Sequence, residues 1–390
     1  MKYFITARSV VLLASIVLCF TACQAQRALF RHAPGSPVSI PGGAGNVVMG
    51  DLNHDKKLDL VVAGVKSRSI TVLLGKGDGQ FATAGSTTVP EPPHEIALGD
   101  VNLDGKPDLA VATHNSYDVL LFLGDGNAGF TKAPTSPIVM RDGNQPHTHG
   151  LAIADMNRDN KPDLITVNST DNDVSLALGD GRGGFTRAPA SPFAVGPSPY
   201  PFAIGDVNGD GHLDIVATAT ATGPLRAQQL PMSKALTLLL GDGKGGFRSS
   251  RLPLRTGEPW FAVIGDLNGD RLPDIAVTHH DMSKLTVLLV TGRGGFEEAP
   301  VSPFDFSGNV LHAMAADVNR DGKMDVLAAG GDSVRIMLGD GRGGFAPGPL
   351  TRSGPGAWRL ASGDVNQDGK IDVVTSNLEN DTVSVLLGSS

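Results

Sequence analysis

Apolar residues in this chain come in short runs, set between stretches rich in Gly, Asp and Pro. Leu109-Ala110-Val111-Ala112-Thr113 and Val174-Ser175-Leu176-Ala177-Leu178 are typical. Runs of this length suit strands, and Gly or Pro interrupts every window long enough to hold a helix. The runs are apolar on consecutive residues rather than on alternate ones, which predicts sheets covered on both faces. Their order is fixed. A first short strand (Phe202-Ala203-Ile204-Gly205) leads into an Asp-rich loop, and a second strand leaves it. A variable polar loop, a third strand and a Gly-rich turn such as Gly179-Asp180-Gly181-Arg182-Gly183-Gly184-Phe185 follow. Those glycines supply the positive φ values of a tight hairpin. A fourth strand bounded by prolines, as in Ala188-Pro189-Ala190-Ser191-Pro192-Phe193, closes the unit and suits an outer edge.

The unit occurs seven times. Its Asp-rich loop places acidic or amide side chains at relative positions one, three, five and nine. The sets are Asp51, Asn53, Asp55, Asp59; Asp100, Asn102, Asp104, Asp108; and Asp155, Asn157, Asp159, Asp163. Then come Asp206, Asn208, Asp210, Asp214; Asp266, Asn268, Asp270, Asp274; Asp317, Asn319, Asp321, Asp325; and Asp364, Asn366, Asp368, Asp372. A period near 50 residues with strand-like contents predicts an all-β, seven-bladed β-propeller of four-stranded antiparallel blades. The last unit stops after its third strand, Val383-Ser384-Val385-Leu386-Leu387. Phe30-Arg31-His32-Ala33-Pro34-Gly35-Ser36-Pro37 matches the missing turn and fourth strand, so the N-terminal strand is expected to complete the last blade. Closure of this kind leaves no open blade face, and a monomer is expected.

Oxygen donors on alternate residues of a curled loop can converge on one Ca²⁺, with a later Asp closing the shell. Up to seven structural Ca²⁺ sites are therefore expected. These are hairpin loops and not EF-hands, since position twelve is Val62, Val111 or Thr166 where an EF-hand has Glu. Position six favours Gly, and is Gly105, Gly211, Gly322 or Gly369 in four units. Asn160 tolerates the left-handed region. Lys56 and Arg271 suit it poorly and add charge, so the Asp51 and Asp266 loops are expected to bind more weakly.

Composition refines this picture. The net charge is -8, yet the seven loops hold 21 of the 40 acidic residues, so the negative charge sits at the expected metal sites. No basic stripe is present, which argues against nucleic acid. Residues 1–22 read as a signal peptide of lipoprotein type: Lys2 and Arg8, then apolar residues to Phe20, then Thr21-Ala22-Cys23. Lipidation of Cys23, a short linker over 23–29 and a propeller over 30–390 follow, with simple secretion as the alternative. The location would be the bacterial periplasm or cell surface, with the membrane reached only through the lipid. Cys19 leaves with the leader, so no disulfide is expected.

Repeats reading Ile-Gly-Asp-Val-Asn-Gly-Asp-Gly, then Leu-Gly-Asp-Gly-x-Gly-Gly-Phe, then Ala-Pro, resemble the FG-GAP/VCBS repeats of integrin α-like propellers and of secreted bacterial proteins. The resemblance implies Ca²⁺ in the loop between the first two strands, on the lower face. It also implies that any ligand site lies on the upper face. It implies no single activity, because such propellers include adhesion modules, lectins and parts of polysaccharide lyases.

Six residues before each first Asp stand Gly45, His94, His149, Tyr200, Trp260, Leu311 and Trp358, so both tryptophans fall at one equivalent position. His147 and His312 are close in sequence, and the loops between strands two and three add His114, His279 and His280. A ring of aromatic and imidazole groups at the upper mouth would stack on sugars or apolar side chains and make directional hydrogen bonds. The plainer alternative is that the tryptophans plug the axis. His147 and His149 could form part of a transition-metal site, with no nearby Glu or Cys to complete it. The fourth unit carries an insertion over 220–234 that includes Arg226, Gln228 and Gln229. The function expected first is a binding or adhesion module for a glycan or protein. Alternatives are a lyase-like polysaccharide enzyme with a His/Tyr base at the mouth and a passive envelope scaffold. No Gly-x-Ser-x-Gly, His-Glu-x-x-His or phosphate-loop motif is present.

Overall fold

The computed structural model describes residues 28–219, 234–279, 282–292, 295–306, 308 and 310–389. The signal segment, Cys23, His280 and all of the 220–234 insertion except Lys234 lie outside the described residues. The described chain is all β, with seven sheets arranged as blades of a ring. The first blade runs Val47–Gly50, Asp59–Gly64, Ser69–Gly75 and Phe81–Thr88, each strand antiparallel to the next. The innermost strands of the other six blades are Pro93–Gly99, Thr148–Ala154, Phe202–Gly205, Pro259–Gly265, His312–Ala316 and Ala357–Gly363.

Second strands such as Asp108–Thr113, Asp163–Asn168 and Asp372–Asn377 are buried at every position. That is the cause of their unbroken apolar runs: each lies between two neighbouring blades. The core is correspondingly divided. Among the described residues seven apolar clusters occur, each drawn mainly from two successive blades. One of them joins Val61, Ile70 and Val72 of the first blade to Ile96, Leu109 and Phe122 of the second.

The ring closes as the ends of the sequence predict. Phe30, Arg31 and His32 pair antiparallel with Gly388, Leu387 and Leu386, and Val38 and Ser39 pair with Val383 and Thr382. Ala33, Ile40 and Ala44 then pack with Val374, Val385 and Leu387 of the seventh blade and with Leu60 and Val62 of the first. The closing seam is therefore as apolar as the other six interfaces.

The outer strand differs from expectation. In five blades it breaks into two short segments on the same third strand, as in Phe130–Lys132 and Ile138–Val139. In four of these blades the break falls at the Ser-Pro pair. Proline offers no N–H, and the serine hydroxyl takes over as acceptor for the third strand. Leu121 N–H donates to Ser136 Oγ at 3.0 Å, Leu176 to Ser191 at 3.0 Å, Val287 to Ser302 at 3.0 Å and Val385 to Ser36 at 2.9 Å.

Candidate functional site

Each innermost strand ends in an Asp loop at one end of the ring and begins at the other end. Seven residues such as Pro93–Gly99 separate the two faces by about 20 Å.

At the Asp-loop end, position nine is the hub. Asp59, Asp108, Asp163, Asp214, Asp274, Asp325 and Asp372 are all fully buried. In the third blade Oδ2 of Asp163 accepts the Met156 N–H at 2.8 Å and Oδ1 accepts the Gly179 N–H at 2.9 Å. The same pair of bonds recurs in all seven blades. The carboxylate thus ties the loop to the end of the third strand. Gly179 is needed there, because a Cβ would lie 2.0 Å from the Pro162 carbonyl oxygen. Burial pushes Asp163, Asp214 and Asp325 up to about 6 despite these bonds, and the loop's other carboxylates add to the rise.

The donor positions one, three and five stand exposed or half-buried. Position one accepts the N–H groups of positions five and six, as Asp206 does from Asp210 at 3.1 Å and Gly211 at 2.8 Å. The position-three amide oxygen accepts the same position-five N–H, as Asn208 does at 2.8 Å. Loops one and five close in the same way as the others. Lys56 and Arg271 adopt φ of 64° and 70°, and their N–H groups reach Asp51 and Asp266 at 2.9 Å each. Position four is also left-handed, at His54, Leu103, Arg158, Arg320 and Gln367, a second special position the sequence reading did not find. In five loops a lysine at position seven pairs with the position-five carboxylate, for example Lys161 with Asp159 at 3.2 Å. The donor set is oxygen throughout and rich in carboxylate, which fits a hard cation, with that lysine as a competing counter-charge.

At the opposite end, the residues aligned six before each first Asp do meet around the axis. Ring centroids are 5.3 Å apart for His94 and His149, 4.2 Å for His149 and Tyr200, and 4.5 Å for the stacked pair Tyr200 and Trp260. Trp260 Nε1 donates to the Leu311 carbonyl at 3.1 Å. Trp358 reaches His94 at 6.2 Å across the first blade, where the equivalent residue is Gly45. A reason for this aim is local: pairing with the second strand slips between Pro93 and Glu95, Thr148 and Gly150, Pro259 and Phe261, and Ala357 and Leu360. Each slip falls on a ring residue, and a bulge redirects a side chain in this way.

Four histidines gather on one side of the mouth. His114 lies 4.9 Å from His94, 4.7 Å from His149 and 4.1 Å from His147, and His147 lies 4.4 Å from His149. Burial, then neighbouring positive charge, holds His114 down at about 4, and the same causes lower His147 and His149. The rings of His114, His147 and His149 are therefore neutral near pH 7. Tyr200, Trp260 and His149 are buried, whereas His94, His114, His147 and Trp358 keep partial exposure. Two candidates stand differently. His279 is fully buried, with Nδ1 3.1 Å from the Glu258 carbonyl and Nε2 2.8 Å from Thr286 Oγ1, inside the fifth blade. His312 sits one residue deeper than the ring, 4.4 Å from Phe261, with Nδ1 accepting the Leu360 N–H at 3.4 Å.

That deeper layer holds Arg359 together with Glu95 and Asn46, the last two passed over in the sequence. Arg359 Nη2 donates to Glu95 Oε1, and Asn46 Nδ2 donates to Glu95 Oε2, joining blades seven, one and two across the axis. Burial alone would raise the Glu95 carboxyl, but Arg359 and then His94 hold it below its usual value. Glu95 and Arg359 occupy one register, five before the first Asp, with opposite charges, and that was the available signal. With His149, Phe202, Phe261 and His312 they line a cavity of about 340 Å³.

FG-GAP-like repeats match residues 51–111, 100–166, 155–217, 266–328 and 317–375. The chain belongs to the FG-GAP-like repeat family. No curated protein matches it in sequence. Among solved structures, it is similar in fold to BBS1N in complex with ARL6DN (TM-score 0.62, 12% identity, 93% of this chain and 98% of that one). It is also similar to an Agrocybe aegerita lectin that recognises non-reducing terminal N-acetylglucosamine (TM-score 0.56, 19% identity, 86% of each chain). A third is virginiamycin B lyase from Staphylococcus aureus (TM-score 0.56, 11% identity, 92% of this chain and 99% of that one). At these identities the likeness concerns the fold alone.

Proposed function

We propose that this FG-GAP-like propeller is a binding module. It takes a glycan or protein ligand at the histidine- and aromatic-lined mouth and is stiffened by Ca²⁺ in the Asp loops at the other end. The observation that carries the reading is the contiguous ring His94, His149, Tyr200, Trp260 and Trp358, built by four bulges that turn side chains onto the axis. Bulges weaken strand pairing, and their repetition at one register supports a role beyond packing. Tyr200 and Trp260 are buried, so they brace the rim, and the contact surface falls to Trp358, His94, His114 and His147. Partly exposed aromatic and imidazole groups suit the faces and hydroxyls of sugars, or apolar and polar side chains of a protein. The structural neighbours include one protein in complex with a protein and one lectin. Attachment through Cys23 at the bacterial surface or periplasm suits such a module.

A glycan and polysaccharide array with the mature protein in Ca²⁺ tests the reading, with Trp358→Ala beside wild type. A hit that is weakened in the variant supports a sugar site. A blank array together with no capture of envelope proteins by the immobilised module would overturn it.

A lyase-like reading keeps one specific support. His149 lies 4.2 Å from Tyr200 between ring centroids, which sets an imidazole beside a phenol at the mouth. Incubation of any array hit with the protein, followed by product analysis, separates cleavage from capture.

A further inference from the structure

We propose that His94, His114 and His149 form a transition-metal site at the rim of the channel. It would take a divalent ion of the zinc, cobalt or nickel class, with a coordination position left toward the mouth. One ligand nitrogen from each of the three rings lies within 4.8 Å of the other two. Two of the distances already suit an ion. His114 Nε2 and His149 Nε2 are 3.3 Å apart. Two nitrogens each about 2.0–2.1 Å from a tetrahedral zinc are separated by about 3.3–3.4 Å. His94 Nδ1 lies 3.3 Å from Glu95 Oε1 without the alignment of a hydrogen bond. That is the place of the carboxylate that commonly orients a metal-binding histidine through its other ring nitrogen.

The surroundings agree. The three rings are held from two blades, with His94 and His149 on bulges and His114 just after the strand Asp108–Thr113. His149 is 7% exposed, so the nitrogen it would offer is held away from bulk water. Arg359, the nearby cation, is engaged by Glu95. His147 packs on His114 and His149, outside the group of three whose nitrogens lie within 4.8 Å of one another. The donors are imidazole nitrogens, the chemistry of zinc, copper, nickel and cobalt, and not of the hard cation suited to the Asp loops on the opposite face. Metal binding and ligand capture at the mouth are separable, and either can fail alone.

The test is Co²⁺ titration of the tag-free mature protein in millimolar Ca²⁺, which keeps the oxygen sites occupied. The expected result is one equivalent bound, with the intense visible absorption of tetrahedral nitrogen-ligated Co²⁺, displaced by Zn²⁺. His114→Ala should lower the affinity by more than the roughly 10–100-fold that loss of an outer-shell partner costs. His32→Ala, at a histidine paired with Ser36 and Arg352 elsewhere, should leave it unchanged. No saturable Co²⁺ binding in wild type, a weak octahedral spectrum, or equal affinity in His114→Ala would each overturn the site. The wild-type spectrum requires no variant to fold.

Discussion

Removing the Asp163 side chain would strand two buried N–H groups at once, those of Met156 and Gly179. Each unpaired buried donor costs about 1–3 kcal/mol. Asp163→Ala is therefore expected to lose about 2–6 kcal/mol in urea unfolding, even in chelator. Asp159→Ala, on the exposed part of the loop, should stay within about 0.5 kcal/mol in chelator and lose its increment only when Ca²⁺ is present. Equal losses for the two would refute the division of labour. The raised carboxyls add a pH dependence. Asp163, Asp214 and Asp325 titrate near 6 in the fold and near 3.9 when unfolded. A folded value above the unfolded one means the native state binds the extra proton, so its stability falls as pH rises from about 4 to 6. In chelator the melting temperature should drop across that window, and Ca²⁺, which competes with the protons, should flatten the drop. Asp55, held low first by the Lys57 N–H, works in the opposite sense but is exposed and weakly coupled. The sequence marked positions one, three, five and nine with equal weight. It could not separate them, because the second partner of position nine is an N–H on another strand, usually 16 residues away.

At the scale of elements, the closing strand is the sharpest case. Phe30 is 3% exposed and Ile40 fully buried, one in the cluster between blades six and seven and the other between blades seven and one. Phe30→Ala should cost about 3–5 kcal/mol and Ile40→Ala about 2–5 kcal/mol. Thermal and urea melts within 0.5 kcal/mol of wild type would show that the ring does not depend on this segment. The closure was readable because the truncated last repeat and the leading half-repeat are complementary sequences. The break in the outer strand and the bulges at the ring were not readable. Both are set by pairing across the blade, where Ser136 or Ser191 replaces a lost rung and where His94 or Trp260 takes an extra backbone position. Equivalent positions alone did place His94, His149, Tyr200, Trp260 and Trp358 in one ring. His279 shared their chemistry but not their register, and it folds into the fifth blade.

The whole ring couples these parts, and calcium is where the coupling can be measured. Every Asp loop joins strands one and two, and position nine extends the link to strand three, so an ion held in one loop braces a complete blade. Each blade in turn buries its faces against two neighbours, and Phe30–His32 joins the last blade to complete that circuit. Uptake of ions should then appear as stability of the entire propeller rather than of single loops. At about 1 mM Ca²⁺ and a Kd of about 0.1 mM, each occupied site adds about 1.4 kcal/mol to unfolding. Plotted against the natural logarithm of free Ca²⁺, the unfolding free energy should rise, with a limiting slope of about 0.6 kcal/mol for each ion released. Asp210→Ala, in a loop with Gly at position six, should lower that slope by about one ion. Asp55→Ala and Asp270→Ala should lower it by less, because Lys56 and Arg271 place a positive charge in loops whose backbone closes equally well. Mg²⁺, which demands a smaller octahedral shell and sheds water reluctantly, should give a shallower rise. A slope of zero with Ca²⁺ would leave the carboxylates as turn-locking acceptors alone, held by the backbone N–H groups that already reach them.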